Sequence, residues 1–503
     1  MRLLDLAVIL AYLVAIAAIG LRMSGRQDTA AAYFVGERDL PWWAVCFSIV
    51  ATETSTLTVI SVPGVAYLGA FGFVELSIGY LLGRSLVAFV LLPLYMRGGF
   101  VSAYQYLQQR FGGGLQIVAS VTFLGTRLLA EGVRLFASAI PIKLLLDAIG
   151  LPTGYVAIIA VISLVTVLYT YVGGIRAVIW TDAIQMLLYI GGAVVCVLVL
   201  LGEVGIAGVG QAYAAGKFQV LNFTAPMLTS PFNAVAAIVG GAVFSMASHG
   251  TDQLMVQRVL ACRTLKDGRK AMIGSAVVVG MQFALFSMVG ALLWVHLGGK
   301  TPAELGLRSS DDLFPRFILD ELPPGLSGLL IAGILSATMG SLSSALNSMA
   351  NSTVADLWRA MGRTAGDGAA SDQAARNRAT LRLSRVLTVV WAVVMAGFAS
   401  LFTDTKGQVV LLGLGIAGYT YGALLGAFLL GLAVRRANQR DAIVAFLATV
   451  AVMAYVVGNY RLAFTWYVPL GVLVTLGGVG GLLSLTHARM LPVQGAPDRP
   501  VRT

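Results

Sequence analysis

Residues 48–66 read Ser-Ile-Val-Ala-Thr-Glu-Thr-Ser-Thr-Leu-Thr-Val-Ile-Ser-Val-Pro-Gly-Val-Ala, and this stretch is the most informative part of the chain. Its two ends are apolar enough to lie in a membrane. Its middle carries Glu53 among hydroxyl side chains, followed by a Pro-Gly pair. A charged side chain at the centre of a bilayer costs roughly 3 kcal/mol even on lenient insertion scales. A chain tolerates this cost where the helix is broken and faces a cavity. The stretch therefore predicts a broken membrane helix.

A second stretch of the same kind lies further along the chain. Residues 244–253 read Phe-Ser-Met-Ala-Ser-His-Gly-Thr-Asp-Gln, between two apolar runs. Two interrupted hydrophobic segments in separate parts of a chain indicate the binding site of a secondary transporter. We therefore predict that the two breaks meet at a site inside the membrane.

The composition is that of a polytopic membrane protein. The 503 residues are 58% hydrophobic and 11% charged, whereas soluble domains carry about 25% charged residues. The net charge of +11 is explained by Lys and Arg in cytoplasmic loops, which argues against nucleic acid as a partner. The three Cys and three His residues show no metal-binding spacing. The longest polar stretch, 351–385, is predicted to be a flexible cytoplasmic loop.

Apolar runs predict an all-α protein with about thirteen spans, two of which contain the breaks. They are 3–21, 41–66, 72–95, 115–148, 151–171, 178–203, 233–256, 271–297, 325–350, 384–403, 408–433, 441–458 and 463–485. Most Lys and Arg residues then fall on one side, which predicts an outside N-terminus and a cytoplasmic C-terminus. The first span is interpreted as a retained helix rather than a signal peptide. Segments 41–203 and 233–433 form two five-helix sets of opposite topology, an inverted repeat.

A helix rich in small and hydroxyl residues forms the third feature. Residues 334–348 read Ile-Leu-Ser-Ala-Thr-Met-Gly-Ser-Leu-Ser-Ser-Ala-Leu-Asn-Ser. Close packing between helices explains such a composition. Alternatively, Ala337 and Ser341 share one helix face and, opposite unwound backbone near Ala51 and Thr54, would complete a cage of oxygen atoms for a small cation. Both interpretations stay open.

Four stretches together resemble the solute:sodium symporter family, which includes the sodium/glucose, sodium/proline, sialic acid, iodide and multivitamin carriers. They are Tyr33–Trp42, Tyr171–Gln185, Gly250–Arg258 and the serine-rich helix. The resemblance implies a LeuT-type fold with Na⁺ as the coupling ion. It also implies an extra N-terminal helix at 3–21, two extra helices within 441–485 and a cytoplasmic tail at 486–503, all in one membrane domain.

The resemblance also implies ion sites. The main sodium site would use the backbone carbonyls of Ala51, Thr54 and Ala337 and the Ser341 hydroxyl. Many members have a second hydroxyl where this chain has Gly340. A possible second sodium site would use Asp182, Ser343 and Ser344, although Asp182 also suits the role of a helix N-cap.

Several polar residues are candidate substrate ligands: Glu53, Ser55, Thr58, Glu75, Arg134, Asp252 and Gln253. Glu53 would attract a cation or carry a proton if it were desolvated. Arg134 either pairs with Glu131 or Glu53, or binds a substrate carboxylate.

The resulting prediction is sodium-coupled import of a small organic solute across a lipid bilayer by alternating access, without enzymatic chemistry. An anion such as a monocarboxylate, sialic acid or amino acid is favoured. The alternatives are a proton-coupled carrier of the same fold, favoured by Glu53, and a transporter-like sensor or receptor. A channel would need a continuous polar pore, which the clustered breaks do not suggest.

Overall fold

The structure is a computed structural model that describes residues 2–23, 27–148, 150–358, 370–402 and 409–480. Its regular structure is helical, and one isolated parallel β-bridge joins Leu40 to Cys262. The helices, in chain order, are α1 (Arg2–Met23), α2 (Ala30–Val35), α3 (Trp42–Glu53), α4 (Thr56–Leu68), α5 (Gly72–Val90), α6 (Leu92–Arg97), α7 (Tyr104–Phe111), α8 (Gly113–Ala148), α9 (Tyr155–Ala214), α10 (Gly241–Gly250), α11 (Gln253–Val259), α12 (Leu265–His296), α13 (Leu313–Asp320), α14 (Leu326–Ser352), α15 (Ala370–Ala399), α16 (Val409–Ala433), α17 (Gln439–Asn459) and α18 (Tyr467–Leu473).

The first predicted break is confirmed. α3 and α4 meet at an angle of 66°, with Thr54 and Ser55 in extended conformation between them. Pro63 lies inside α4, so the helix breaks at the hydroxyl-rich sequence and not at the Pro-Gly pair. Gly64 instead permits close packing, because a Cβ there would lie 2.5 Å from the carbonyl oxygen of Ser310.

The second predicted break is also present. α10 ends at Gly250 and α11 begins at Gln253. Asp252 caps α11, since its Oδ1 accepts a hydrogen bond of 2.9 Å from the Leu254 amide. The cap fixes a carboxylate at the break, where the helix has stopped and backbone groups need other partners.

The serine-rich helix α14 lies at the centre of the bundle. Nearly all of its residues are buried, and it packs against α9, α8, α1 and α15. A helix lined all round with small and apolar residues is suited to such a position. It runs beside both α3 and α11, so its hydroxyl groups face the two breaks.

The prediction of thirteen spans is not confirmed. Within the described residues, eight helices are long and apolar enough to cross a membrane, and the bent α3–α4 pair makes nine. The predicted spans 151–171 and 178–203 both fall in α9, where Gly174 departs from helical geometry with φ +53°. The repeat boundaries at 41–203 and 233–433 stay predictions, and the tail 486–503 lies outside the described residues.

The predicted loop at 351–385 is partly wrong. α14 continues to Ser352, a π-helical turn follows over Thr353–Trp358, and α15 begins at Ala370. Residues 359–369 lie outside the described part of the chain. The stretch from residue 370 is rich in Ala, Arg and Leu, which are strong helix formers. Because this stretch lacks apolar periodicity, the sequence pattern did not indicate a helix there.

Three of the stretches that carry the family resemblance contact one another. The Tyr33 hydroxyl donates to the Thr170 carbonyl at 2.9 Å, and a Cβ at Gly174 would lie 2.5 Å from the Tyr33 carbonyl oxygen. Gln257 of the Gly250–Arg258 stretch donates through Nε2 to the Phe34 carbonyl at 2.5 Å. The left-handed conformation and the close approach both require glycine at position 174.

The extra N-terminal helix caps the central helix. Asp5 of α1 accepts hydrogen bonds from the amides of Gly325 and Gly328, at 2.7 and 2.8 Å, and from the Ser327 hydroxyl at 2.7 Å. These donors belong to the first turn of α14, where amides have no partner within the helix. The carboxylate also interacts favourably with the helix dipole.

Replacing Asp5 with alanine is expected to lower the melting temperature, because three donors lose their acceptor. The expected loss of stability is about 2 kcal/mol, the size of a strong capping interaction. Asp5→Asn should lose less, since asparagine also caps helices. Thermal unfolding of the purified protein in detergent measures both, and equal melting temperatures for Asp5→Ala and the unaltered protein would contradict the capping role.

Candidate ion and substrate site

The first break is tied to the central helices by side-chain hydrogen bonds. The Thr54 hydroxyl and the Gln282 amide of α12 lie 2.7 Å apart, and the Thr56 hydroxyl contacts the Thr338 hydroxyl of α14. Ser341 donates to the Thr338 carbonyl at 3.0 Å. The unwound backbone of the break therefore lies between α12 and α14, with its peptide groups held in place.

The predicted ligands of the main sodium site all lie in this buried region. Ala51, Thr54, Ala337 and Ser341 are each at most 1% exposed. The Ala51 carbonyl oxygen lies 3.9 Å from the position that a Cβ at Gly340 would occupy, which places the end of α3 against α14. Their role as sodium ligands stays a prediction.

Asp182 has a basic partner that the sequence did not indicate. Its Oδ2 accepts from the Ser48 hydroxyl at 2.7 Å and from Arg258 Nη2 at 3.4 Å. Arg258 also contacts the Ser344 hydroxyl and is fully buried. The capping alternative for Asp182 is wrong, because this residue lies well inside α9.

The other oxygen of Asp182 is free. Within the described chain, Asp182 Oδ1 and the nearby Gln185 Oε1 are buried without a hydrogen-bond partner. Buried oxygen atoms without partners are costly unless a donor or a cation binds them. This part of the site therefore fits a small cation, while Oδ2 is already occupied by Ser48 and Arg258.

Both breaks open onto one central cavity. Polar and aromatic side chains both line it. The lining residues are Thr52, Glu53, Ser55, Leu57, Thr58, Phe73, Tyr80, Thr126, Arg127, Ala130, Arg134, Phe244, Ser248, His249, Leu254, Met255, Phe283, Ala417 and Tyr421. A cavity lined by aromatic side chains and a few polar groups suits a small organic ligand.

The structure brings four of the seven predicted substrate ligands into this wall, namely Glu53, Ser55, Thr58 and Arg134. The other three do not line the cavity. Asp252 lies behind it, Gln253 accepts from the Ala103 amide at 2.7 Å, and Glu75 accepts from the Asn222 amide at 2.8 Å beside a different pocket. Substrate binding by any of the seven stays a prediction.

Glu53 is paired with a buried arginine. Arg84 Nη2 of α5 contacts Glu53 Oε2, and Arg84 Nη1 donates to the Ser275 hydroxyl at 2.7 Å. Arg84 is 0% exposed, whereas the Glu53 side chain is 18% exposed to the cavity. His249 Nε2 lies 3.7 Å from the same carboxylate oxygen. The sequence alone did not identify Arg84 as the partner of Glu53.

Arg134 begins a second chain of charges. It donates to Glu131 Oε1 at 2.8 Å, and Glu131 also accepts from Arg127 Nη1 at 3.2 Å. Arg127 contacts both Asp252 Oδ2 and the Tyr421 hydroxyl, and Tyr421 donates to Asp252 at 2.5 Å. The pairing of Arg134 with Glu131, one of the two alternatives left open above, is therefore present.

The charges around the cavity balance. Arg84, Arg127 and Arg134 face Glu53, Glu131 and Asp252, so three cations meet three anions. Charges taken out of water persist only where such partners and further hydrogen bonds are present. The arrangement can bind and orient a polar solute, and it joins α3, α5, α8, α11 and α16 around that solute.

Two broken helices facing a buried cavity inside an apolar helical bundle define a secondary transporter. A profile of the sodium:solute symporter family matches residues 33–449, and the chain belongs to that family. The expected resemblance is thus confirmed, together with a multi-pass position in the membrane and Na⁺ as the coupling ion for a small-molecule solute.

Relatives align over nearly the whole chain. The sodium/sialic acid symporter NanT of Aliivibrio fischeri is 26% identical over 94% of this chain and 91% of its own length. The sodium/sialic acid symporter SiaT of Proteus mirabilis is 29% identical over 93% and 92%. The human sodium-coupled monocarboxylate transporter 1 is 28% identical over 90% of this chain and 73% of its own.

Solved structures confirm the LeuT-type fold. The substrate-bound, outward-open state of a Na⁺-coupled sialic acid symporter gives a TM-score of 0.81 at 26% identity and covers 96% of this chain and 98% of that one. Mhp1, a nucleobase-cation-symport-1 family transporter, gives a TM-score of 0.53 at 13% identity over 91% and 94%, which concerns the fold alone.

Proposed function

We propose that this sodium symporter imports a small organic anion, such as a monocarboxylate, a sialic acid or an amino acid, that binds in the central cavity. The observation that carries the proposal is Arg134 in the cavity wall. We further propose an outside N-terminus, a cytoplasmic C-terminus and transport without covalent chemistry. The relatives named for sialic acid and monocarboxylate transport support an acidic solute.

Arg134 has capacity for a second carboxylate. Its side chain is 16% exposed, and among the described residues its hydrogen-bonding partner is Glu131, through Nη1. Glu131 also pairs with Arg127, so a single carboxylate serves both guanidinium groups. A guanidinium offers five N–H donors and binds carboxylates in a paired geometry. A substrate carboxylate would take the remaining donors on the side that faces the cavity.

The aromatic residues that line the cavity favour an apolar face on the same solute. Phe73 and Phe283 have ring centroids 5.2 Å apart, and Tyr80 stacks on Phe244 at 6.2 Å. Such rings bury large apolar areas, and their geometry suits a flat or hydrocarbon surface. The cavity thus presents an acid-binding end and an apolar side.

Sodium binding would assemble this site. An ion held by the carbonyls of Ala51 and Thr54 and by the Ser341 hydroxyl would join the first break to α14. Because Ser55 and Thr58 follow the break directly, ordering it also orders part of the cavity wall. Coupling then arises from the higher affinity of both ligands for the same state. The membrane potential contributes about 2.3 kcal/mol per charge per 100 mV.

The proton-coupled alternative rests on Glu53 and His249, which both line the cavity. The pairing of Glu53 with Arg84 argues against it. Arg84 already holds this carboxylate in an ion pair whose guanidinium is fully buried, and breaking such a pair is costly. Glu53 therefore serves better as a fixed structural charge than as a proton carrier.

Replacing Arg134 with glutamine is expected to abolish sodium-driven uptake of an acid, because the cavity loses the group that binds its carboxylate. Folding should be largely retained, since Glu131 still pairs with Arg127. Uptake is measured in proteoliposomes with a Na⁺ gradient, against a choline gradient, for a panel of acids and their neutral amides. The matched control is Arg176→Gln, which removes a half-exposed pair with Asp39 at 2.9 Å.

Three outcomes separate the proposals. Uptake of an acid that is lost in Arg134→Gln and kept in Arg176→Gln supports the anion assignment. Equal uptake of acid and amide, unchanged in Arg134→Gln, would show that the solute is not recognised through a carboxylate. Uptake driven by a proton gradient in the strict absence of Na⁺ would overturn sodium coupling.

A further inference from the structure

A long connection without regular secondary structure follows α9. Residues 215–233, all of them described, contain no helix or strand, and an ordered connection of this length inside a compact domain is usually functional. It folds back onto the turn between α4 and α5. Lys217 Nζ donates to the Tyr67 carbonyl at 2.6 Å, and the Phe71 amide donates to the Gln219 carbonyl at 3.1 Å. The connection is therefore attached to both α4 and the start of α5.

The connection and the turn border a second cavity of about 320 Å³, which we name the loop cavity. Glu75 lines its inner part, because that side chain is fully buried, whereas Leu68 at the rim is 53% exposed. Val65, Val220 and Phe232 add apolar surface. Among the described residues that line the loop cavity, Glu75 is the one with a charge. The loop cavity therefore combines a single acidic group with apolar surface.

Glu75 uses only one of its two carboxylate oxygen atoms within the protein. Oε1 accepts from the Asn222 amide at 2.8 Å. Oε2 is buried and has no hydrogen-bond partner among the described residues. An ionised carboxylate needs a donor there and a protonated one needs an acceptor, so the described chain satisfies neither form. Because a buried polar atom without a partner is costly, Oε2 indicates a position for a ligand.

The surroundings of Oε2 favour an organic ammonium ion over a metal ion. Within the described chain, no group of three or more acidic, His or Cys side chains is placed to hold a metal. A metal ion needs several such ligands, whereas an ammonium group forms a strong hydrogen bond with one carboxylate. The apolar side chains would bury a hydrocarbon group, and an aromatic ring such as that of Phe232 attracts a cation.

We propose that the loop cavity binds a small organic ammonium ion, whose N–H group donates to Glu75 Oε2 and whose hydrocarbon part packs against Val220 and Phe232. The site is distinct from the central cavity, with which it shares no described lining residue. One ring links the two, because the Phe73 ring centroid lies 5.3 Å from that of Phe232 and 5.2 Å from that of Phe283. A bound ammonium ion therefore contacts aromatic packing that continues to the solute cavity.

The test measures ligand binding to the purified protein in a nonionic detergent. Melting temperatures are followed with increasing methylammonium, butylammonium or benzylammonium chloride, balanced with potassium chloride to constant ionic strength. Benzyl alcohol is the uncharged counterpart of benzylammonium. Benzylammonium should stabilise the protein in a saturable way, and benzyl alcohol should stabilise it far less. Glu75→Gln should raise the half-maximal concentration of benzylammonium roughly tenfold, because a hydrogen bond to a charged acceptor is lost while an amide oxygen still accepts from Asn222.

Two further variants make the result specific to the loop cavity. Val220→Phe fills the cavity and keeps Glu75, so it should abolish the stabilisation by benzylammonium, and it keeps the test valid if Glu75→Gln fails to fold. The matched control is Glu304→Gln. It removes an exposed acid that accepts from the Thr301 hydroxyl at 2.8 Å and does not line the loop cavity. The half-maximal concentration should be unchanged in this variant.

Three results would overturn the proposal. Equal stabilisation by benzyl alcohol and benzylammonium would show that the cavity recognises only apolar groups. A half-maximal concentration that is unchanged in both Glu75→Gln and Val220→Phe would place the ammonium ion elsewhere. Absence of stabilisation by all three ammonium ions would show that the loop cavity holds only water. These results leave sodium-coupled transport untouched, because the solute site is a different cavity.

Discussion

Replacing Arg84 with methionine is expected to destabilise the protein by about 3 kcal/mol, the lower end of the range for breaking a buried ion pair. Arg84 is fully buried and contacts Glu53, Ser245 and Ser275. Methionine fills similar space and has no charge, so Glu53 would be left as an unpaired anion in an apolar bundle. The lower end applies because Glu53 keeps some exposure to the cavity.

A double variant separates the charge from the packing. Glu53→Gln together with Arg84→Met removes both charges and should recover most of the stability, since replacing a whole buried pair is often close to neutral. Melting temperatures of the two single variants and the double variant give the interaction energy. The control is Arg269→Met, which removes a guanidinium that donates to the Ala88 carbonyl at 3.1 Å. Additive effects would show that Glu53 and Arg84 do not depend on each other.

The sequence predicted the fold because a polar residue in an apolar span allows few solutions. Glu53 among hydroxyl groups, and Asp252 after a glycine, each required a broken helix around a cavity. The angle between α3 and α4 and the start of α11 at Gln253 agree with that reasoning. The count of thirteen spans is not confirmed, although the non-helical Gly174 of α9 lies in the gap between the predicted spans 151–171 and 178–203.

The pairing of buried charges could not be predicted from the sequence. Arg84, Arg127 and Arg258 each lie in an apolar stretch, and each must have an acidic partner. Each has a partner from a distant part of the chain: Glu53 for Arg84, Asp252 for Arg127 and Asp182 for Arg258, although Arg127 also pairs with Glu131 of its own helix. The sequence shows that a partner is needed, while the packing of helices decides which acid it is. Counting the cations and the anions in the apolar stretches would have predicted that their charges balance. It would not have predicted which residues pair.

Glu75 lies away from the central cavity, where the sequence had suggested a substrate ligand. A carboxyl group at the start of an apolar helix suggested a cavity ligand, yet it lies in the first turn of α5 and accepts from the Asn222 amide. Acidic residues are common in the first helical turn, where they interact with free amides and the helix dipole. A role at the start of a helix accounts for Glu75. The same role does not account for Asp182, which lies inside α9. Only the structure shows where each helix begins.

The second large effect is expected at Asp252, which joins the second break to the cavity wall. Its carboxylate contacts Arg127, accepts from the Tyr421 hydroxyl at 2.5 Å and caps α11 through the Leu254 amide. Asp252→Ala removes all three contacts and should cost about 4 kcal/mol, chiefly because Arg127 is left with Glu131 alone. Sodium-driven uptake should be lost with it, since α8, α11 and α16 no longer share a fixed contact.

Asp252→Asn distinguishes the charge from the cap. Asparagine is as good an N-cap as aspartate, so this variant keeps the start of α11 and removes only the negative charge beside Arg127. We expect a melting temperature between those of Asp252→Ala and the unaltered protein, with uptake still lost. Asp267→Asn is the control, because Asp267 lies in the first turn of α12 and bonds Thr264 at 2.7 Å near the surface. Full uptake in Asp252→Asn would show that this carboxylate caps a helix and has no part in holding the cavity wall together.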